Sequence, residues 1–193
     1  LVDAFLHRGI DGRVPSDLEI AQALVSIVVG GIETVPKILA AGIRELARNP
    51  GQLAEIRGDP HTNVPRAVEE MLRIHAPAQW FARTVRKERE LAGVPLKPGQ
   101  RVILLVASAN RDPREFEDAD CFVWNRRIPR MISFGIGPHF CIGLNLVKVQ
   151  GKLLIEEFFR RFPNAELTGE MTYDYQHFNA RRLATLMVRT NRA

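Results

Sequence analysis

The ten residues FGIGPHFCIG, Phe134 to Gly143, set one cysteine, Cys141, on a glycine-rich loop just ahead of a long amphipathic stretch. A helix N-terminus leaves N–H groups without intrahelical partners and carries partial positive charge, so a sulfur there ionises more readily and its thiolate is held by backbone donors. Gly135 and Gly137 can adopt positive φ and let the chain pass close to a flat ligand, and Gly143 clears a side chain from the first helical turn. His139, two residues before the sulfur, can hydrogen-bond an acidic substituent at the ligand's edge, and Phe134 can shield the sulfur from water. The chemistry is that of a thiolate binding a soft metal in a large planar group. A buried cysteine beside a glycine turn is the plainer reading; the full spacing F-G-x-G-x-x-x-C-x-G argues against it.

A second set of reactive side chains lies in GGIETVP, Gly30 to Pro36. Around it, apolar residues recur at helical spacing from Ala21 to Arg48 through Leu24, Ile27, Val28, Ile38, Leu39, Ile43 and Leu46. Ser16 and Glu19 form a capping box at the start, and Asn49-Pro50-Gly51 stops the helix. Some 32 residues would span roughly 48 Å, enough to cross a domain. Two glycines cost about 1 kcal/mol each, and Pro36 deletes the bond to the Ile32 carbonyl, so the helix is expected to kink or open there. For a Gly-Gly pair alone, a packing notch is the better explanation. Glu33 in a central helix is costly to bury unless paired or functional, which favours a chemical role for Glu33-Thr34. Glu70 and Arg73, three apart in AVEEMLRIHAP, share one helical face and can pair.

FGIGPHFCIG resembles the haem-binding loop of the cytochrome P450 superfamily, the haem-thiolate monooxygenases, in the wording of the soluble bacterial members. The resemblance implies haem b (iron protoporphyrin IX) ligated by Cys141, with Phe134, Gly135, His139 and Gly143 around it and thiolate ligation favouring O–O cleavage. Glu33-Thr34 is similar to the family's acid–alcohol pair, in which Thr34 would hold bound oxygen and Glu33 would relay protons. Glu70-x-x-Arg73 is similar to its E-x-x-R motif, completed by an arginine before the haem loop: Arg126, or alternatively Arg127. Asn110-Arg111-Asp112-Pro113 resembles a stretch common in bacterial members and reads as structural. In the family the segment Pro77 to Arg83 crosses the distal face of the haem. That makes Ala78, Gln79, Trp80 and Phe81 candidates for substrate contact and Arg83 for a haem propionate. Phe178 to Leu183 matches the last substrate-contact turn, with Arg181 and Arg182 unusual there. Met131 stands where a second propionate histidine is frequent and Val35 where another hydroxyl is frequent, which leaves propionate anchoring to Arg83 and His139.

The implied fold is mainly α with a small β region, a single partial domain over residues 1–193 corresponding to the C-terminal half of the cytochrome P450 fold. Strand-like runs are expected at 90–94 and 101–106, a helix from Cys141 to about Phe162, and a final strand pair at 166–186. The implied activity is oxygen-dependent hydroxylation of a small or medium organic substrate, with electrons from a ferredoxin-type donor. The competing reading is a truncated, catalytically silent piece that self-associates through exposed core or needs a missing N-terminal half.

Hydrophobic residues are 46% and charged ones 25%, which suits a buried core. No uninterrupted apolar run approaches the ~18 residues of a membrane span, so no membrane partner and a cytoplasmic location are expected. Cys121 and Cys141 make neither a disulfide framework nor a zinc spacing, and Cys121 reads as an inert thiol. The net charge is +5, with Arg126, Arg127, Arg130, Lys148, Lys152, Arg160 and Arg161 near the expected thiolate. These are either a solvated face or a dock for an acidic electron donor. Nucleic-acid motifs do not accompany the charge, so no nucleic-acid partner is expected.

Overall fold

The helix expected from the apolar spacing is α1, Asp17–Arg48, of 32 residues in a computed structural model that describes residues 3, 7, 13–169, 171–174 and 182–190. Its capping box forms: the Ser16 N–H donates to Glu19 Oε2 at 2.9 Å, and the Glu19 N–H to Ser16 Oγ at 3.4 Å. Of the kink or opening expected at Gly30–Pro36, the opening does not occur: residues 17–48 are helical throughout, with Pro36 inside. Helix propagation is cooperative, so well-formed turns on both sides carry one missing bond. The chain divides into two compact units, 1–36 and 37–193, and the division falls directly after that proline.

In the first unit Ile20 is buried, whereas Val25, Val28, Val29 and Ile32 are exposed along α1. An 18-residue window of α1 has a mean hydropathy of 1.7, so by length and composition the helix could cross a membrane. Isolated polar residues such as Gln22 and Ser26 interrupt the apolar run but hardly lower its average, and the core helix of a soluble protein meets the same criterion.

The second unit is built on α3, Pro60–Ile74, whose Val64, Ala67, Val68, Met71 and Leu72 are buried. Asp59 caps it, accepting from the Thr62 N–H at 3.3 Å, and Pro60 sits in the first turn, where its missing N–H costs nothing. Two helices approach α3 closely. Gly151 in α5, Leu144–Arg161, lies where a Cβ would come within 2.8 Å of Val68 Cγ1. Gly42 on α1 lies where a Cβ would come within 2.3 Å of Met71 Sδ. Ile38, Ala41 and Leu46 of α1 and Val147, Ile155 and Phe159 of α5 complete the buried set around these contacts. Between α1 and α3, α2 (Pro50–Gly58) is tied to a distant loop: Trp124 Nε1 donates to Glu55 Oε2 at 2.7 Å, and Gln52 bonds Trp124 N and Phe122 O.

Among the described residues the β structure is four antiparallel pairs of short strands. β1 (Phe81–Thr84) pairs with β4 (Arg101–Leu104), Phe81 opposite Leu104 and Thr84 opposite Arg101. The expected run at 90–94 is instead a hairpin, β2 (Arg89–Leu91) and β3 (Val94–Leu96), turned by Ala92 and Gly93 at φ of 49° and 79°. Two consecutive positive φ values give the hairpin turn its twist. The other expected run ends at Leu104, and Val106–Ala109 forms the short helix α4. The single final strand pair is two: β5 (Glu166–Leu167) with β8 (Val188–Arg189), and β6 (Thr172–Asp174) with β7 (Arg182–Thr185). Of the expected substrate-contact turn, residues 178–181 lie outside the described residues, as does the side chain of Arg182.

Candidate functional site

Phe134 to Gly143 forms a closed loop ahead of α5. The Cys141 N–H donates to the Phe134 carbonyl at 2.9 Å, the Gly135 N–H to the Ile132 carbonyl at 3.0 Å, and the Phe140 N–H to the Gly137 carbonyl at 2.9 Å. Gly135 and Gly137 take φ of 72° and 71°, which a side chain would strain. At Gly135 an added Cβ would also press to 3.2 Å from the His139 carbonyl oxygen. Gly143 is the N-cap of α5, and a Cβ there would touch the Cys141 sulfur at 3.7 Å. His139 ends a single 3-10 turn, Gly137–His139, and is exposed, as is the Cys141 thiol; Phe134 is half-buried.

A buried ion pair on α3 holds the segment that precedes the loop. Arg73 and Glu70 are both 0% exposed and doubly hydrogen-bonded. Glu70 Oε1 also accepts from Arg126 Nε at 3.1 Å and from the Val123 N–H at 3.0 Å. Arg126, of the two candidates, is therefore the arginine that reaches Glu70. Its guanidinium further donates to the carbonyls of Glu117, Asp118 and Cys121. The Cys121 thiol is exposed, and its carbonyl also accepts from Arg73.

The basic face looks different once its partners are placed. Arg126 turns inward; Lys148 pairs with Glu69 at 2.6 Å, and Arg160 and Arg161 share Glu157 at 2.7 and 2.5 Å. Hydrogen bonds from Arg160 first and Arg161 second hold the Glu157 carboxyl down at about 2. Lys152 lies 3.9 Å from Glu156. Of the seven cations, Arg127 and Arg130 remain exposed, without such a pairing among the described residues.

Arg83 lies on β1, exposed, with Nη1 donating to the Ala82 carbonyl at 2.9 Å. Ala78, Gln79 and Trp80 are half-buried and Phe81 is exposed. A cavity of about 30 Å³ is lined by Lys37, Ala41, His75, Gln79 and Arg111 among others, and contains no residue of the Phe134–Gly143 loop. It has room for about one water. Beside it His75 Nε2 lies 3.1 Å from Glu45 Oε1. Burial pushes the Glu45 carboxyl up, but His75, Arg44 and Arg48 together hold it below its ordinary range.

Glu33 and Thr34 belong to the first unit. The Thr34 hydroxyl donates to the Gly30 carbonyl at 2.7 Å, which leaves its oxygen lone pairs as acceptors. Glu33 is exposed, so the burial cost invoked for it does not apply.

The loop suits haem on its own chemistry. Ile136, Phe140 and Ile142 stand 70%, 52% and 84% exposed around an exposed thiol, an apolar surface that a flat apolar ligand would cover. Among the described residues no three His, Cys, Asp or Glu side chains converge, so a metal at Cys141 would bring its remaining ligands with it. Cys141 would be its ligand, with His139 and Arg83 available to acidic substituents.

Residues 1–184 match the cytochrome P450 family model, and the chain belongs to that family. Among its relatives is cytochrome P450 123 of Mycobacterium tuberculosis, 36% identical over 189 residues, which cover 97% of this chain and 47% of that protein. CYP109E1 from Bacillus megaterium, solved with testosterone, superposes with a TM-score of 0.90 at 27% identity, covering 98% of this chain and 52% of its own. P450BioI, solved with a hexadec-9Z-enoic acid ligated acyl carrier protein, superposes at 0.89 with 31% identity over 96% of this chain and 47% of its own. The chain thus spans about half the length of the curated relatives it matches. Mainly helical with small sheets, it has the C-terminal half of the cytochrome P450 fold.

Sequence reasoning missed the side chains that seat the loop. Asn110 was read only as part of a structural stretch, and Ser133 carried no signal, although both bond to the backbone on either side of the site.

Proposed function

We propose that this chain is the haem-thiolate half of a monooxygenase that hydroxylates a small or medium organic substrate. The reaction consumes R–H, dioxygen, two electrons and two protons and yields R–OH and water. The observation that carries the reading is the exposed Cys141 thiol on a loop closed by its own N–H and spaced by two positive-φ glycines, within a chain of the cytochrome P450 family. Haem held by the Cys141 thiolate would supply dioxygen activation, with the sulfur favouring O–O cleavage.

The chain's own residues have the following roles in this reading. Gly135 and Gly143 keep the approach to the sulfur narrow-walled and clear, Phe134 shields it, and His139 and Arg83 bind the propionates. Thr34 accepts a proton-bearing neighbour at its oxygen, because its own proton is committed to Gly30, and Glu33 exchanges protons with solvent from its exposed position. Arg127 and Arg130 offer exposed positive charge for an acidic, ferredoxin-type donor. Family and fold support this reading over a catalytically silent piece. Residues 1–193 act as one partial domain in the cytoplasm. Ile142, Leu146, Val149 and Leu153, spaced four, three and four apart and all more than half exposed, are the surface through which it would meet the rest of the fold or a second copy.

The test is turnover: the haemin-loaded protein, a ferredoxin and its NADPH-dependent reductase, and a set of small organic substrates. Hydroxylated product is expected, and Thr34→Ala should lower product formed per electron consumed more than it lowers electron consumption. Haem-loaded protein that accepts electrons but oxidises nothing would refute the assignment.

A further inference from the structure

Asn110, the residue after α4, is 1% exposed, and both polar atoms of its amide are bonded. Its Nδ2 donates to Ser133 Oγ at 2.7 Å, and its Oδ1 accepts from the Ile132 N–H at 3.0 Å. Its backbone carbonyl accepts from Arg73 Nη1 at 2.7 Å. Ser133 Oγ donates in turn to the Leu72 carbonyl at 2.7 Å. The directions follow from donor inventory. A carbonyl only accepts, so the single hydroxyl proton of Ser133 goes to Leu72, and Ser133 must accept from Asn110. The Ile132 N–H needs an acceptor, so the amide cannot turn over without setting donor against donor. Two hydrogen bonds then lead onward from Ile132 and Phe134 to the Gly135 and Cys141 N–H groups.

We propose that Asn110 and Ser133 are a positioning pair that seats the Phe134–Cys141 loop on α3, fixing where the Cys141 sulfur is presented. The inference rests on the haem-thiolate reading for its functional meaning and on the hydrogen bonds alone for its structural one. Burial makes each bond costly to lose, because an orphaned amide or carbonyl keeps its full desolvation penalty. The pair also joins the loop to Arg73, so the buried ion pair and the thiolate loop are held by one polar network.

Two measurements on the 193-residue chain separate the claims. Without haemin, amide hydrogen exchange in Ser133→Ala should quicken about tenfold or more at Ile132, Gly135 and Cys141, and by less than about threefold at Val68 and Ile155. Ser133→Thr, which retains the hydroxyl, should restore protection. Adding Asn110→Ala to Ser133→Ala should add little, because the two act as one unit. With haemin, reduction and carbon monoxide, Ser133→Ala should lower the share of the red-shifted, thiolate-ligated Soret band, and Ser133→Thr should recover it. Uniform acceleration along the whole chain, no acceleration at the loop, or an unchanged Soret share in Ser133→Ala would overturn the proposal. Failure of the unsubstituted chain to take up haemin would defeat the haem reading, while a loop-specific exchange pattern would still uphold the seat.

Discussion

Arg73 donates to Glu70 through Nε and Nη2 at 2.7 and 2.8 Å, and neither side chain has any exposed surface. The remaining valences are used as well: Arg73 Nη1 bonds the Asn110 and Ala119 carbonyls at 2.7 and 2.8 Å, and the guanidinium lies 5.0 Å from the centre of the Phe116 ring. A charge pair out of water is stable only with this degree of satisfaction. Here it binds α3 to the 110–126 region and, through Asn110, to the thiolate loop.

Removing one partner should therefore unfold the second unit readily. Arg73→Ala removes the donor to Glu70 Oε2 and those to the Asn110 and Ala119 carbonyls, leaving the carboxylate with only Arg126 and the Val123 N–H, and a loss of about 3–5 kcal/mol is expected in urea titration. Arg73→Lys should recover little, since a single ammonium cannot reproduce the forked geometry. A loss below about 1 kcal/mol in either variant would contradict the role given to the pair.

The two helix contacts on α3 should respond differently to a methyl group. Gly151→Ala meets Val68 Cγ1, and a β-branched side chain has few other rotamers, so net destabilisation of about 1–2 kcal/mol is expected despite better helix propensity. Val68→Ala in the same chain should remove much of that penalty. Gly42→Ala meets the flexible Met71 thioether and should be nearly neutral. Thermal midpoints of the four proteins check the order.

Glu157, near 2 rather than its ordinary 4.5, supplies a pH signature. A carboxyl whose folded value is depressed contributes stability that is present above its unfolded value and lost as pH falls through the folded one. The stability difference between the unsubstituted chain and Glu157→Gln should therefore be constant above about pH 5 and shrink toward zero between about pH 4.5 and 2. A difference that persists at pH 2 would assign the effect to something other than the ion pairs with Arg160 and Arg161.

What could be read from the sequence is local. The Ser16–Glu19 cap, the stop after Arg48 and the positive φ of Gly135 and Gly137 follow from rules spanning a few residues, and all are present. Arg126 was the better match with Arg127 as the alternative, and spacing alone could not decide between them because the outcome depends on how residues 56 positions apart meet at Glu70. The pairing within the basic face was not legible for the same reason: the Glu69 that neutralises Lys148 lies 79 residues away. The hairpin at 89–96 escaped notice because Ala92 adopts a positive φ, for which alanine carries no signal. The seat at Asn110 and Ser133 was invisible because neither residue type implies a partner 23 residues off.

The central claim is that Cys141 ligates haem iron. The most direct measurement is the difference spectrum of the haemin-reconstituted, reduced chain with carbon monoxide, alongside Cys141→Ala. Stoichiometric haem is expected, with a strongly red-shifted Soret band that disappears in Cys141→Ala. A band unaffected by the substitution, or no retained haem, would contradict it.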